Sequence, residues 1–347
     1  MLLQERFAAS AYRATQLYEW VYKKGVTDCA RMSNVTKELR GELQEFFSFD
    51  KAAVRDKQVS VDGSRKYLLE VRPGVFVESV LIRQPERTTL CVSSQYGCGM
   101  GCAFCRTATM GFRANLSAGD ILRQVNAVRE DFPGEEQIFG NLVFMGMGEP
   151  LHNVHAVTAA VRVLKDPHGL GVGPRRITVS TVGLVPGIRK FIKADLGVNL
   201  AVSLNATTDE QRRRLMPVGR RYSIEELLAC LAEVPLKKRR KITVEYVMLS
   251  GVNDSAEDLR RLPRLLKGLS VKINLIPYNE NAGLPFKSPS RSRVLEWHEA
   301  LNLAGLDTTV RWSRGLDISA ACGQLAVEKS EPAASSAQAA QKPRSVQ

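Results

Sequence analysis

Three cysteines fall within eight residues, Cys98-Gly-Met-Gly-Cys102-Ala-Phe-Cys105, at the spacing C-x3-C-x2-C. Their number limits what the thiolates can do. A structural zinc takes four ligands, and a [4Fe–4S] cluster used for electron transfer is held by four thiolates. Three thiolates on a [4Fe–4S] cluster leave one iron open. An open iron can take the amino and carboxylate groups of S-adenosylmethionine (SAM). An electron from the cluster then breaks the sulfonium bond and yields a 5′-deoxyadenosyl radical. Taken alone, the triplet has a competing reading, a zinc knuckle whose fourth ligand lies elsewhere in the chain.

Such a loop needs a frame, and from Thr88 the chain alternates strand and helix. The strand candidates begin at Leu90, Asn141, Arg176, Val198, Ile242 and Val271, and helical stretches such as Ala118–Glu130, 223–232, 255–267 and 291–304 follow. Six βα units predict a parallel sheet with helices outside, an α/β fold that we read as an open, partial (β/α)6 barrel. Its site is expected where strands end at their C-termini. The cysteine triplet follows the first strand. The second ends in Met145-Gly-Met-Gly148-Glu149-Pro150, where glycine lets a ligand approach the backbone and Glu149 can accept from an ammonium. The third ends in Ser180-Thr181, the fourth in Ser203-Leu204-Asn205, and the sixth in Tyr278-Asn279. Polar groups on four strand ends of one rim read as a ligand site. Thr309-Val-Arg-Trp is a candidate late strand.

Outside this region, residues 1–50 read as a small helical accessory domain, with Leu17, Trp20 and Val21 on one face and Leu39, Leu43, Phe46 and Phe47 on another. Residues 51–87 read as a β-hairpin extension that turns at Asp62-Gly63. The barrel with a C-terminal cysteine loop is assigned to 88–325, and residues 326–347, rich in Ala, Ser, Gln, Pro and Lys, to a disordered tail.

The 347 residues, 44% of them hydrophobic, suffice for one large domain with appendages. Seven cysteines do not suggest a secreted disulfide framework. Neither a secretory apolar segment nor a long apolar run is present, so a cytoplasmic protein without a membrane span is expected. Cys29 and Cys230 sit in helix-like stretches and read as inert thiols. The formal charge of +13, from 49 Lys and Arg against 36 Asp and Glu, favours a polyanionic partner such as RNA or DNA. The runs Arg212–Arg214, Arg220-Arg221 and Lys237–Lys241 carry much of it, with solvated helix faces as the competing reading.

The segment from Cys91 to Cys105, Met-Gly-Met-Gly-Glu-Pro, Tyr246-Val-Met-Leu with Gly251-Val-Asn-Asp, Ile273-Asn-Leu-Ile-Pro and Asp317-Ile-Ser-Ala-Ala-Cys322-Gly-Gln-Leu together resemble the radical-SAM adenine-C2 RNA methyltransferases of RlmN type. The likeness spans roughly residues 10–327. It implies a radical-SAM barrel, an N-terminal domain that contacts RNA, one [4Fe–4S] cluster on Cys98, Cys102 and Cys105, two SAM consumed per turnover, and 23S rRNA and tRNA as substrates. It also implies a reducing system such as flavodoxin or ferredoxin, and a monomer. By the same likeness Cys322 is the thiol that becomes S-methylated, Cys91 resolves the RNA adduct through a disulfide, and Glu78 is the proton acceptor. SAM contacts are implied at Gly148, Glu149, Ser180, Ser203, Leu204, Asn205 and Asn279. Many relatives carry His where this chain has Asn205. Two other readings are a C8-specific sibling of antibiotic-resistance type and a non-catalytic iron–sulfur RNA-binding protein.

Overall fold

The computed structural model describes residues 10–47, 51–133 and 138–327; most of the segment read as a disordered tail lies outside them. Twelve strands and ten α-helices follow in the described part. Helix α1 (Ala11–Tyr18) runs into a π turn at Glu19–Lys23, and α2 (Lys37–Phe46) follows. Met32, Val35, Leu43 and Cys29 form a small core between them, so the two apolar faces read from the sequence pack on each other.

Strands β1 (Ala53–Val59), β2 (Arg65–Arg72), β3 (Val75–Gln84) and β4 (Arg87–Cys91) pair antiparallel in sequence. Then the direction changes. Strand β4 pairs in parallel with β7 (Asn141–Phe144), followed by β8 (Ile177–Thr181), β9 (Asn199–Ser203), β10 (Ile242–Met248), β11 (Val271–Pro277) and β12 (Thr308–Val310). The hairpin extension therefore continues the barrel sheet without a break, ten strands in one open sheet. Short strands β5 (Gln95–Gly97) and β6 (Phe112–Asn115) form a separate ribbon.

Helices α3 (Arg106–Thr109), α4 (Ala118–Glu130), α5 (Val154–Lys165), α6 (Val185–Lys193), α7 (Asp209–Leu215), α8 (Ile224–Ala232), α9 (Ala256–Leu265) and α10 (Arg291–Leu303) fill the crossovers. Their starts are written locally. Ser117 with Asp120, Ser223 with Glu226 and Ser255 with Asp258 each form a reciprocal capping box. Because helices cover the outside and side chains fill the inside, β10 is buried at six of seven positions, as expected for a parallel strand covered on both faces. The single charge within it, Glu245, therefore has to be accounted for.

Candidate active site

The ribbon of β5 and β6 carries the cysteine loop. Gly97 sits at φ 73°, and a Cβ there would lie 1.9 Å from the Gly111 carbonyl oxygen, so only glycine closes this loop. Cys98 N–H donates to that same carbonyl at 2.9 Å, and Ala103 N–H donates to Leu215 O at 2.9 Å. Cys102 and Cys105 line a cavity of about 150 Å³ with Glu149, Ser180, Ser203, Asn205, Asn279 and Cys322. Burial pushes the Cys98 thiol up to about 12, and Cys102 and Cys105 upward as well. Thiols of this kind give up their protons to a metal.

Among the described residues no three Cys, His, Asp or Glu side chains converge on a single-ion site. The three thiols do lie within electrostatic range of one another, since Cys105 acts on Cys98, and both Cys98 and Cys105 act on Cys102. Soft thiolates spread around a loop, with open volume beside them, fit a polynuclear iron–sulfur cluster better than one tetrahedral zinc. Cys98, Cys102 and Cys105 would hold it.

The Gly148-Glu149 turn leans on the same ribbon. Gly148 has φ 96°, and a Cβ there would be 2.4 Å from Gln95 Cβ. Glu149 N–H donates to Gln95 Oε1 at 2.8 Å. The Glu149 carboxylate already accepts three hydrogen bonds, from Leu151 N–H, Thr181 Oγ1 and Val182 N–H, at 2.7–2.9 Å. Burial still outweighs these donors and raises it to about 7.

Asn205 adopts φ 55°, a left-handed conformation that Asn tolerates better than most residues. Its Oδ1 accepts from Val247 N–H at 2.8 Å, and its Nδ2 faces Met216 Sδ at 3.3 Å. The amide thus ties the end of β9 to β10 as a structural group. Leu204 is 1% exposed in the main core and does not line the cavity. Its N–H is taken by Glu245 O at 3.0 Å.

Cys322 lies on the segment after a 3-10 turn at Leu316–Ile318, and this segment is tied down at many points. Asp317 accepts from Ser60 Oγ at 2.6 Å and Val61 N–H at 3.1 Å, and Gly315 N–H donates to Asp62 Oδ2 at 2.8 Å. Arg106 N–H donates to Gly323 O at 2.8 Å, which joins the cluster loop to the Cys322 loop. Thr107 Oγ1 donates to Leu325 O at 2.6 Å.

Cys91 ends β4, fully inside, and is pushed up to about 12 by burial and then by its neighbour Cys322, against the pull of Arg311. Both cysteines are free thiols in this structure. Glu78 does not line the cavity. It is buried in β3 against Lys66 Nζ at 3.2 Å and accepts from Ala326 N–H at 2.9 Å, gripping the chain just after Cys322. Burial raises its carboxyl, with Lys66 opposing.

Sequence reasoning missed Glu245 and Arg311. Glu245 lines the cavity, and Arg311, just past β12, lies beside Glu245, Cys91 and Cys322 together. A lone charge in an apolar strand was the available signal for Glu245.

The basic runs separate. Arg212 is fully buried, donating to Val182 O at 2.7 Å, and burial lowers it to about 10. It is therefore a structural residue and no part of an RNA face, which corrects the reading of 212–214 as one cluster. Arg213, Arg214, Arg220 and Arg221 are exposed on the cavity side, after β9. Residues 237–241 precede β10 at the opposite end of the barrel. There Lys241 pairs with Asp307 at 2.9 Å and Arg240 donates to Asn199 Oδ1 at 2.6 Å.

A parallel βα sheet with a three-cysteine loop after its first parallel strand defines a radical-SAM fold, and residues 92–262 match the Radical SAM superfamily model. Residues 4–48 match the model of the ribosomal RNA large subunit methyltransferase N-terminal domain. The chain is 48% identical to the dual-specificity RNA methyltransferase RlmN of Geobacter sulfurreducens, across 90% of this chain and 86% of that one. It is 46% identical to the protein of the same name from Paracoccus denitrificans, across 90% and 82%. The crystal structure of a radical SAM methyltransferase from Sphaerobacter thermophilus superposes with a TM-score of 0.87 at 41% identity, covering 93% of this chain and 95% of that one. The chain belongs to the RlmN family.

Proposed function

We propose that this protein methylates carbon 2 of adenine in RNA, with 23S rRNA and tRNA as substrates, through a methyl group carried on Cys322. The observation that carries the reading is one cavity lined by Cys102, Cys105 and Cys322, with Cys91 buried beside it. The site that would hold a cluster and the site that would hold a methyl group thus open on the same space.

Bound at Cys98, Cys102 and Cys105, the cluster supplies reductive cleavage of SAM and so hydrogen abstraction. The rest falls to the chain's own residues. Carbon 2 of adenine is electrophilic, and so is the methyl group of SAM, so direct transfer between them is disfavoured. A Cys322 thiolate can take the methyl group first and present it as a one-carbon unit. Gly148, Glu149, Ser180, Ser203, Asn205 and Asn279 line the cavity and would hold SAM against it; Leu204 could contribute only main chain. After the carbon has joined the ring, a Cys91 thiolate attacks the Cys322 sulfur, forms a disulfide and frees the RNA; an external thiol or reductase resets the pair. Arg311 is the cation that favours each thiolate in turn. Glu78, made more basic by burial but outside the cavity lining, would take the ring proton only by way of a bridging water. Exposed Arg213, Arg214, Arg220 and Arg221 would meet phosphates.

A reductant of flavodoxin or ferredoxin type, a monomeric state and a cytoplasmic location complete the proposal. No helix among the described residues is long and apolar enough to cross a membrane. The test is nucleoside mass spectrometry of 23S rRNA and tRNA after incubation with reconstituted protein, SAM and a reductant. The expected product is 2-methyladenosine in both. 8-Methyladenosine would assign the C8-specific reaction. SAM left intact by the reduced protein would leave only an iron–sulfur RNA-binding protein.

A further inference from the structure

Glu245 is 6% exposed at the middle of β10 and lines the cavity. One oxygen, Oε2, accepts from Ser180 Oγ at 2.9 Å. The other, Oε1, is buried and accepts no hydrogen bond from the described residues. Arg311 Nη1 stands 4.0 Å away, an ion pair too long for a hydrogen bond, and that nitrogen also faces Met145 Sδ at 3.3 Å. A buried carboxylate oxygen without a donor is costly. Proteins keep such a group where a ligand brings the donor.

We infer that Glu245 Oε1 reads the exocyclic amine of the adenine that is to be methylated. The inference rests on the function proposed above and names a specificity residue for it. Carbon 2 and the amine-bearing carbon 6 flank N1 on the same edge of the ring. With C2 turned toward Cys322, that edge runs along the wall that holds Glu245, since both residues line one cavity. Arg311 feels both the Cys322 and the Glu245 charges, so it stands near both. The amine is the only N–H donor on the adenine base of an RNA chain. Guanine in the same pose would set its O6, an acceptor, against the carboxylate, and its own C2 already bears an amine. Ser180 fixes the rotamer of Glu245, and Arg311, which does not line the cavity, balances its charge from outside that lining.

Binding is measured with cluster-reconstituted protein and S-adenosylhomocysteine, without reductant, so that nothing turns over. The probes are one RNA hairpin with adenosine at the target position and two copies with purine riboside or inosine there. Wild type is expected to bind the adenosine RNA about tenfold or more tightly than either analogue, the usual effect of a hydrogen bond to a charged group. In Glu245→Gln the Ser180 bond occupies the amide oxygen and turns the NH2 to the base. The adenosine advantage should shrink to within about twofold, and inosine should gain. Equal affinity of wild type for all three RNAs, in protein that methylates the adenosine RNA, overturns the inference and leaves the function standing. Absence of any C2 methylation sinks both. If Glu245→Gln loses S-adenosylhomocysteine while its adenosine preference persists, the carboxylate serves the methyl donor and the inference is wrong. The wild-type comparison needs no variant to fold.

Discussion

Asn279 donates its side-chain N–H to the main-chain carbonyl of Cys322 at 3.0 Å. A residue at the end of β11 therefore holds the cysteine proposed to carry the methyl group. In Asn279→Ala that bond is lost, worth about 1 kcal/mol net. Iodoacetamide labelling of Cys322, followed by peptide mass spectrometry, should become roughly fivefold faster in the metal-free protein. An unchanged rate would mean that the remaining loop contacts hold Cys322 alone.

Iron content tests the cluster ligands. Anaerobic reconstitution should load about four irons per chain, as one [4Fe–4S] cluster requires. Cys98→Ala, Cys102→Ala and Cys105→Ala should each fall to near background, with SAM cleavage lost. Cys322→Ala should keep its iron. Retained iron in the triple variant would remove these thiols from the site.

The two cysteines proposed to carry and release the methyl group should fail differently. Cys322→Ala should yield neither methylated protein nor methylated RNA. Cys91→Ala should still be methylated and still add its carbon to adenine, but it lacks the thiol that releases the product. A protein–RNA adduct that survives denaturation and vanishes with ribonuclease is expected on a gel. Adduct formation by Cys322→Ala would exchange the two roles.

Adjacent arginines should behave in opposite ways. Arg212→Gln removes a fully buried guanidinium bound to the Val182 carbonyl, so thermal unfolding should shift down, by about 3 kcal/mol of stability. Arg213→Gln with Arg214→Gln should leave unfolding within about 0.5 kcal/mol. That pair should instead weaken RNA binding and reduce the steepness of its salt dependence. Unchanged binding would return Arg213 and Arg214 to an ordinary solvated face.

Glu149 carries a pH signature. Its folded carboxyl lies at about 7, above the ordinary value, so folding favours the protonated acid. The associated stability is present in full below the ordinary carboxylate range and is lost as pH rises to about 7. The gap between wild type and Glu149→Gln in metal-free protein should therefore narrow, or move against wild type, by up to ~3 kcal/mol from pH 4.5 to 8. Urea titrations at several pH values measure it. A gap that widens with pH would mean an ionised carboxylate held by its three donors.

The βα rhythm was readable because parallel strands and their helices each have a strong local signal, and the helix Ala118–Glu130 was placed to the residue. The cysteine loop was readable from spacing, while Cys91 and Cys322 needed the family likeness. What escaped depends on long-range packing. Glu78 faces Ala326 across 248 residues of chain, which no local pattern encodes. Arg212 was misread from its charged neighbours, although it stands three residues before buried Leu215 on α7, the spacing of one helix face. Glu245 was passed over because its strand reads as apolar, although a charge inside such a strand is itself a sign of function.

The clamp between Ser60 and Asp317 spans 257 residues. During synthesis the hairpin at 59–65 emerges early and waits for most of the chain before its partner exists. Contacts this distant in sequence form late and slowly. The cysteine loop at 98–105 can therefore be translated, and can meet iron and sulfide, before residue 322 arrives. A chain interrupted before residue 315 would carry the three cysteines proposed to hold the cluster without the thiol proposed to accept the methyl group. The order in which the ribosome delivers them thus separates the appearance of the cysteine loop from the seating of Cys322.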